Sequence, residues 1–118
     1  KKGTGREAFC MVEIEGTTHC IDPAGSIFDL LGKRWTLPLI GVLGNSPVVR
    51  FSELRDRVSG IGNKALADRL KQMERLRLVE RQAFPQVPVR VEYRLTPEGE
   101  QLRRALGPLL AWAAKAIR

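Results

Sequence analysis

The chain is poor in the residues on which most enzyme and metal chemistry depends. Of its 118 residues, one is His (His19) and two are Cys (Cys10 and Cys20). A single histidine leaves no evident Ser-His-Asp or Cys-His set, and no glycine-rich loop of the phosphate-cradling kind is present. The acids fall mostly on charged faces. Two cysteines cannot build the disulfide framework of a small secreted domain, which points to a reducing, cytoplasmic compartment. Cys10, His19 and Cys20 have a spacing that matches no standard zinc pattern. Long apolar runs are also missing. The longest candidate, Leu37–Leu43, contains Pro38 and Gly41 and falls well short of the roughly 20 residues of a membrane span. There is no signal-peptide pattern, and the chain does not begin with Met, so its first residue is expected to lie inside a longer sequence. No repeat or low-complexity tract is found. These absences argue against an enzyme, a membrane-spanning protein and a disulfide scaffold, and no metal or cofactor is expected.

What the chain has in surplus is positive charge. Its formal net charge is +7 and its pI about 10.1, with 43% hydrophobic residues. That is enough apolar material for one modest core and too little for two. A basic excess of this size suits a polyanionic partner: DNA, RNA or an anionic membrane surface. One unit is expected, with residues 1–21 as an N-terminal arm and hairpin attached to a main domain over 22–118.

The patterning supplies elements for that domain. Lys1–Arg6 is a basic, glycine-containing end. Glu7–Ile21 predicts a β-hairpin, with Phe9, Met11, Val12, Ile14 and Ile21 as strand formers and Glu15-Gly16 or Gly16-Thr17 as the turn. Asp22-Pro23 stops it. A helix is expected from about Ser26 to Leu31, closed by Gly32. A second starts near Arg34 or Trp35 and ends at Gly44-Asn45, with Pro38 in its first turn, where a missing N–H costs least. Ser52 is read as the N-cap of a third helix carrying Leu54 and Val58.

The stretch from Phe51 to Thr96 is the most telling. After the third helix comes a glycine turn, Ser59-Gly60-Ile61-Gly62, and then a basic amphipathic helix, Asn63–Leu76. Leu66, Leu70 and Met73 recur at i, i+4 and i+7, one face of a helix. Rotation by 100° per residue sets Lys64, Asp68, Lys71 and Arg75 on the opposite face, with Ala67 to one side. Two strands follow, Leu78–Phe84 and Val89–Leu95, joined by Pro85-Gln86-Val87-Pro88. Val89, Val91, Tyr93 and Leu95 alternate with Arg90, Glu92 and Arg94. Thr96-Pro97-Glu98 then provides an N-cap, a proline at the first helical position and an acid, opening a helix to about Ile117 that Pro108 should bend. The series describes an α+β winged helix: a helix-turn-helix, a two-stranded β-wing, an N-terminal hairpin and a long C-terminal helix.

These residues resemble the HxlR-type family of winged-helix transcription regulators, relatives of the MarR group, over about Asp22 to Trp112. The likeness is carried by Leu30-Leu31-Gly32-Lys33-Arg34-Trp35, by Arg50-Phe51-Ser52-Glu53-Leu54-Arg55, and by Lys64, Leu66, Arg69-Leu70-Lys71 and Leu78-Val79-Glu80-Arg81. The wing, Phe84-Pro85-Gln86-Val87-Pro88-Val89-Arg90-Val91-Glu92-Tyr93-Arg94-Leu95-Thr96, is its most specific part. The resemblance implies a homodimer on a roughly palindromic operator in double-stranded DNA, in the prokaryotic nucleoid, with recognition helices in successive major grooves and terminal helices forming the dimer. The sequence departs from the pattern at Gly62, where a hydroxyl residue is usual, and at Arg77, where Gly is usual. Arg34 is an extra residue in the opening motif. Many members use a Cys shortly before the first helix as a thiol sensor, and Cys20 stands slightly upstream of that position.

Each candidate residue has a plainer reading beside the functional one. Lys64, Arg69, Lys71 and Arg75 can neutralise phosphates or read guanine edges, or they can form a solvated face with Asp68 and Glu74 as partners. Arg69 lies nearer the core side and can brace the fold or hold a phosphate at the groove edge. Arg90 and Arg94, with Arg81, can hold DNA at the wing, or Arg94 and Arg81 can pair across strands with Glu80 or Glu92. The site read from sequence is therefore Lys64, Ala67, Asp68, Arg69, Lys71 and Arg75 on the helix, with Arg90 and Arg94 on the wing. Trp35 and Trp112 are read as packing residues. Leu102, Leu106, Leu109, Ala113 and Ile117, with Trp112, form a stripe on a helix some 30 Å long, more than this domain needs for itself, so a second copy of the chain is the expected cover. For the cysteines a structural role ranks first, a redox sensor at Cys20 second and metal a distant third. With Glu15-Gly16 as a two-residue turn, Cys10 and Cys20 face opposite sides of the ribbon and cannot bridge. A protein-interaction module built on the same scaffold is the alternative to DNA binding.

Overall fold

The computed structural model describes residues 9–22 and 25–116. The basic end, Glu7 at the start of the expected hairpin, Pro23 and Ile117 lie outside them. Two strands, β1 (Cys10–Ile14) and β2 (Thr17–Ile21), form the hairpin. They are followed by α1 (Ser26–Leu31), α2 (Thr36–Leu43), β3 (Val49–Arg50), α3 (Phe51–Arg57), α4 (Asn63–Arg75), β4 (Val79–Phe84), β5 (Arg90–Leu95) and α5 (Pro97–Ala116). Glu15 and Gly16 both take positive φ, 50° and 81°, the two-residue turn whose twist suits a hairpin.

The core forms where three helical stripes meet. Leu39, Ile40 and Leu43 of α2, Leu54 of α3, and Leu66, Leu70 and Met73 of α4 are buried, joined by Val49, Ile61, Val79 and Tyr93. Thr36 is also buried, and its Oγ1 donates to the Leu30 carbonyl at 2.8 Å, closing the α1–α2 corner. Burial pushes the Tyr93 phenol above its usual pKa, against a lowering by Arg81.

Two details correct the sequence reading. The wing is not a two-stranded ribbon alone: β3 pairs antiparallel with β5, giving a three-stranded sheet in the order β3-β5-β4. Because the chain passes straight from β3 into α3, Ser52 is inside the helix and Arg50 is the N-cap. The Glu53 carboxylate accepts the Arg50 N–H at 2.8 Å, so the acid and not the serine side chain satisfies this helix start. Helix α2 begins at Thr36, just after Trp35, whose φ is +80°.

The junction of α4 with the wing is built tightly. The Arg77 N–H bonds the Glu74 carbonyl at 2.9 Å and the Leu78 N–H bonds the Met73 carbonyl at 2.8 Å. This is a Schellman helix end, in which the turning residue normally is Gly. Here it is Arg77, with φ +60°, so the departure noted in the sequence is a strained position. Thr96 Oγ1 donates to the Arg77 carbonyl and accepts the Gly99 N–H at 3.0 Å, tying the start of α5 to the same corner. Arg77→Gly removes the left-handed strain and is expected to raise stability by about 1 kcal/mol, read as a higher urea midpoint with unchanged slope. A lower midpoint would contradict that account.

Candidate nucleic-acid interface

A short turn holds α4 against α3. Val58 and Ile61 are buried on either side of it, Gly60 has φ +94°, and a Cβ there would lie 3.3 Å from the Trp35 ring. Gly60 is thus required both by its backbone angle and by the indole packed beside it. Trp35 is a packing residue, as its sequence context suggests, and the Arg34 guanidinium lies over its ring at 4.7 Å. Gly62 caps α4, its carbonyl accepting the Leu66 N–H at 3.0 Å. The Arg55 side chain donates to Asn63 Oδ1 at 3.1 Å and links α3 to the first residue of α4.

With Leu66, Leu70 and Met73 turned inward, the opposite face of α4 is presented to solvent as the 100° rotation requires. Lys64 is on this face and pairs with Asp68 at 3.3 Å, the partnering that the plainer reading expects. An exposed pair of this kind contributes little and is easily exchanged for another anion. Lys71 and Arg75 are exposed and have no carboxylate partner among the described residues. Ala67, half-buried, lies between them and the turn. Arg69 is also half-buried, and its Nη1 donates to Gln72 Oε1. It lies towards the core side, as the rotation places it.

The wing arginines are more constrained than the sequence suggests. Arg94 pairs across the strands with Glu80 at 3.1 Å, the plainer of its two readings. Arg90 is not a free tip residue. Its Nε lies 3.2 Å from Glu92 and its guanidinium sits over the Phe84 ring at 4.1 Å. The arginine is braced at the base of the Pro85–Pro88 loop, while Val87 at the tip is fully exposed. Val89 is also exposed, and β5 starts one residue later than its alternation predicts.

The other expected sites separate in space. On α5, Leu106 belongs to the domain's own core, with Leu102 and Leu110 packed beside it. Leu106 therefore does not project from the molecule, in contrast to its expected place at a dimer surface. Leu109 and Trp112 do project, at 46% and 62% exposure. The outward apolar face runs Ala105, Leu109, Trp112, Ala116, all exposed, and Ala113 is half-buried at its edge. The hairpin is similarly open, with Phe9, Met11 and Ile14 exposed. Its register sets Cys20 opposite Met11 and Cys10 opposite Ile21, so the thiols lie on opposite faces. Both are free and exposed in the single chain. Among the described residues no three His, Cys, Asp or Glu side chains are grouped to hold a metal ion, and no helix is long and apolar enough to cross a membrane.

Helix-turn-helix, flanking wing, solvent-facing cationic helix and long terminal helix together define a winged-helix regulator of the kind that binds nucleic acid. The chain belongs to the HxlR-like helix-turn-helix family, whose model matches residues 30–118. It is similar to the HTH-type transcriptional regulator YodB of Bacillus subtilis, with 43% identity over 98 residues that cover 83% of this chain and 86% of that one. A crystal structure described as a possible HxlR family transcriptional factor from Thermoplasma volcanium superimposes with a TM-score of 0.83 at 35% identity, covering 91% of this chain and 95% of that one. The reduced form of YodB gives a TM-score of 0.65 at 41% identity, covering 79% and 90%. Relatives named in these comparisons are helix-turn-helix transcriptional regulators, and DNA-binding regulation is the function the family supports.

Proposed function

We propose that this protein is a sequence-specific transcriptional regulator that binds a roughly palindromic operator as a homodimer, with α4 in the major groove and the wing beside it. The observation that carries the reading is the outward face of α4. Its core side is fully committed to Leu66, Leu70 and Met73, while Lys71 and Arg75 stand exposed without partners among the described residues. A cation held on a rigid helix and lacking a carboxylate exchanges only water and counterions for a phosphate or a guanine edge. Lys64 and Asp68 extend the same face, and Ala67 is small enough to let the helix approach the bases. At the wing, Arg90 and Arg94 line the approach to the duplex from positions already fixed by Glu92 and Glu80. They contribute positive potential and shape more than new ion pairs.

Two recognition helices one DNA turn apart require a two-fold partner. The outward faces of α5 and the hairpin are the apolar surfaces that such a partner would bury. The reading is tested at Lys71. Lys71→Ala is expected to lower affinity for the operator by about tenfold, by relaxing preference at one base pair if the lysine reads a base, or by weakening all duplexes alike if it holds a phosphate. Fluorescence anisotropy on matched and altered duplexes distinguishes these. Unchanged affinity for every duplex would remove Lys71 from the interface.

A further inference from the structure

A surface cleft of about 250 Å³ runs along one flank of α4, bounded by Lys33 from the α1–α2 corner and by Asp68, Arg69, Lys71, Gln72 and Arg75. It gathers four cations and one carboxylate, and that carboxylate, Asp68, already pairs with Lys64. The flank is distinct from the wing side, where Glu74 faces Glu80, Arg81 and Arg94 across a separate groove. The cations of the cleft are short of acceptors. Lys33 reaches Asp29 only at 3.8 Å. Arg69 is oriented by Gln72, yet its buried Nε has no hydrogen-bond partner. Arg75 has no partner among the described residues. A buried guanidinium N–H without an acceptor is costly, and it marks a place where an anion would complete the structure. The backbone of Lys33 is itself fixed: its N–H bonds the Leu30 carbonyl at 3.0 Å and its carbonyl accepts the Thr36 N–H at 3.4 Å. The ammonium is therefore presented from a rigid corner.

We propose that Lys33, Arg69 and Arg75 form a phosphate clamp that holds the DNA backbone on the flank of α4 away from the wing. The clamp rests on the DNA-binding reading and adds Lys33, which lies outside the helix-turn-helix, to the interface. Oxygens of one phosphate group suit an ammonium and two guanidinium edges together. The cleft is continuous with the exposed face of α4 through Lys71, which borders both. A duplex with α4 in its major groove must run its backbone past one flank of that helix, so a DNA phosphate is the anion within reach. The duplex is then gripped on both sides of the recognition helix, by the wing and by the α1–α2 corner.

The test uses the full chain and a duplex recovered from a random pool. Lys33→Ala is expected to lose about tenfold in affinity at low salt and to flatten the slope of log affinity against log salt by about 1 for each protomer bound. Base preference should stay as in the wild type, and Lys33→Arg should restore both quantities. A scan replacing single phosphates with uncharged methylphosphonates should find one position per half-site that weakens the wild type and costs Lys33→Ala nothing further. An unaltered salt slope in Lys33→Ala, or a flat methylphosphonate scan on the wild type, overturns the clamp; the scan requires no variant to fold. If Lys71→Ala still weakens binding in that case, the DNA-binding reading stands without the clamp. If the wild type binds no duplex, both fall. Inorganic phosphate at matched ionic strength is the second probe. Shifts of the Lys33 and Arg69 amide resonances by phosphate, together with a flat scan, would make the cleft a site for a free anion and overturn the assignment to DNA.

Discussion

Gly99→Ala is expected to destabilise the domain by about 3 kcal/mol, at the upper end of the cost of overpacking. Gly99 is buried in the first turn of α5, where the helix starts against the root of the wing. A Cβ at this position would lie 2.1 Å from the Leu78 carbonyl oxygen and 3.0 Å from its carbon. Those are backbone atoms and cannot rotate away. The Leu78 carbonyl also accepts the Thr96 N–H at 3.0 Å, and the Thr96 hydroxyl bonds both the Arg77 carbonyl and the Gly99 N–H. Shifting α5 to admit one methyl group therefore disturbs the helix cap and the α4–wing corner together. Gly107→Ala is the matched control, since a Cβ there meets nothing within 4 Å. That substitution is expected to change stability little, because the roughly 0.5–1 kcal/mol of helix propensity it adds is opposed by crowding of the new Cβ against the ring of Pro108, the next residue. Urea unfolding should lower the midpoint of Gly99→Ala and leave that of Gly107→Ala near the wild type. Equal midpoints would show that the α5–wing contact is looser than described.

Leu109→Asp is expected to leave the fold intact and abolish the dimer. Leu109 is almost half exposed and lies with Ala105, Trp112 and Ala116 on the outward face of α5. Its replacement removes nothing from the domain's own core but places a carboxylate inside a surface that a partner must dry, which is costly without a counter-charge. Light scattering at micromolar concentration should give twice the 13.2 kDa chain mass for the wild type and the single-chain mass for the variant. Operator affinity should fall by at least about a hundredfold, because each half-site then binds without its linked neighbour. Leu106→Asp distinguishes the two faces of the helix. Leu106 is 9% exposed and sits in the domain core, so its loss should unfold the monomer. A wild type of single-chain mass would contradict the proposed assembly.

Much of this architecture was legible in the sequence because its signals are local or strictly periodic. Leu66, Leu70 and Met73 repeat at the helical period, and all three are fully buried. Thr96-Pro97 opens α5 as its chemistry demands, and Glu15-Gly16 sets the hairpin register. What was not legible depends on distant partners. Strand β3 has two residues, too few for any alternation, and exists because β5 pairs with it. That pairing also moves the N-cap of α3 from Ser52 to Arg50. The apolar stripe of α5 is wide enough to serve two surfaces, and only the packing on the core separates Leu106 from Leu109. The charges behave in the same way. Arg90 was legible as a wing cation, but its stacking on Phe84 arises across the ribbon, while its ion pair with Glu92 runs along its own strand. Lys33 lies some 40 positions before Arg69 and Arg75 in the chain, and folding alone places it in their cleft.

The most direct measurement of the central claim is selection of bound duplexes from a random pool by the wild-type protein. The account predicts enrichment of an inverted repeat whose half-site centres lie about 10 base pairs apart. Bound affinity should exceed that for unselected duplex by at least about a thousandfold and should fall steeply with salt. A pool that emerges without a shared sequence, bound weakly and equally with random DNA, would contradict a sequence-specific regulator and leave the winged helix as a scaffold for other contacts.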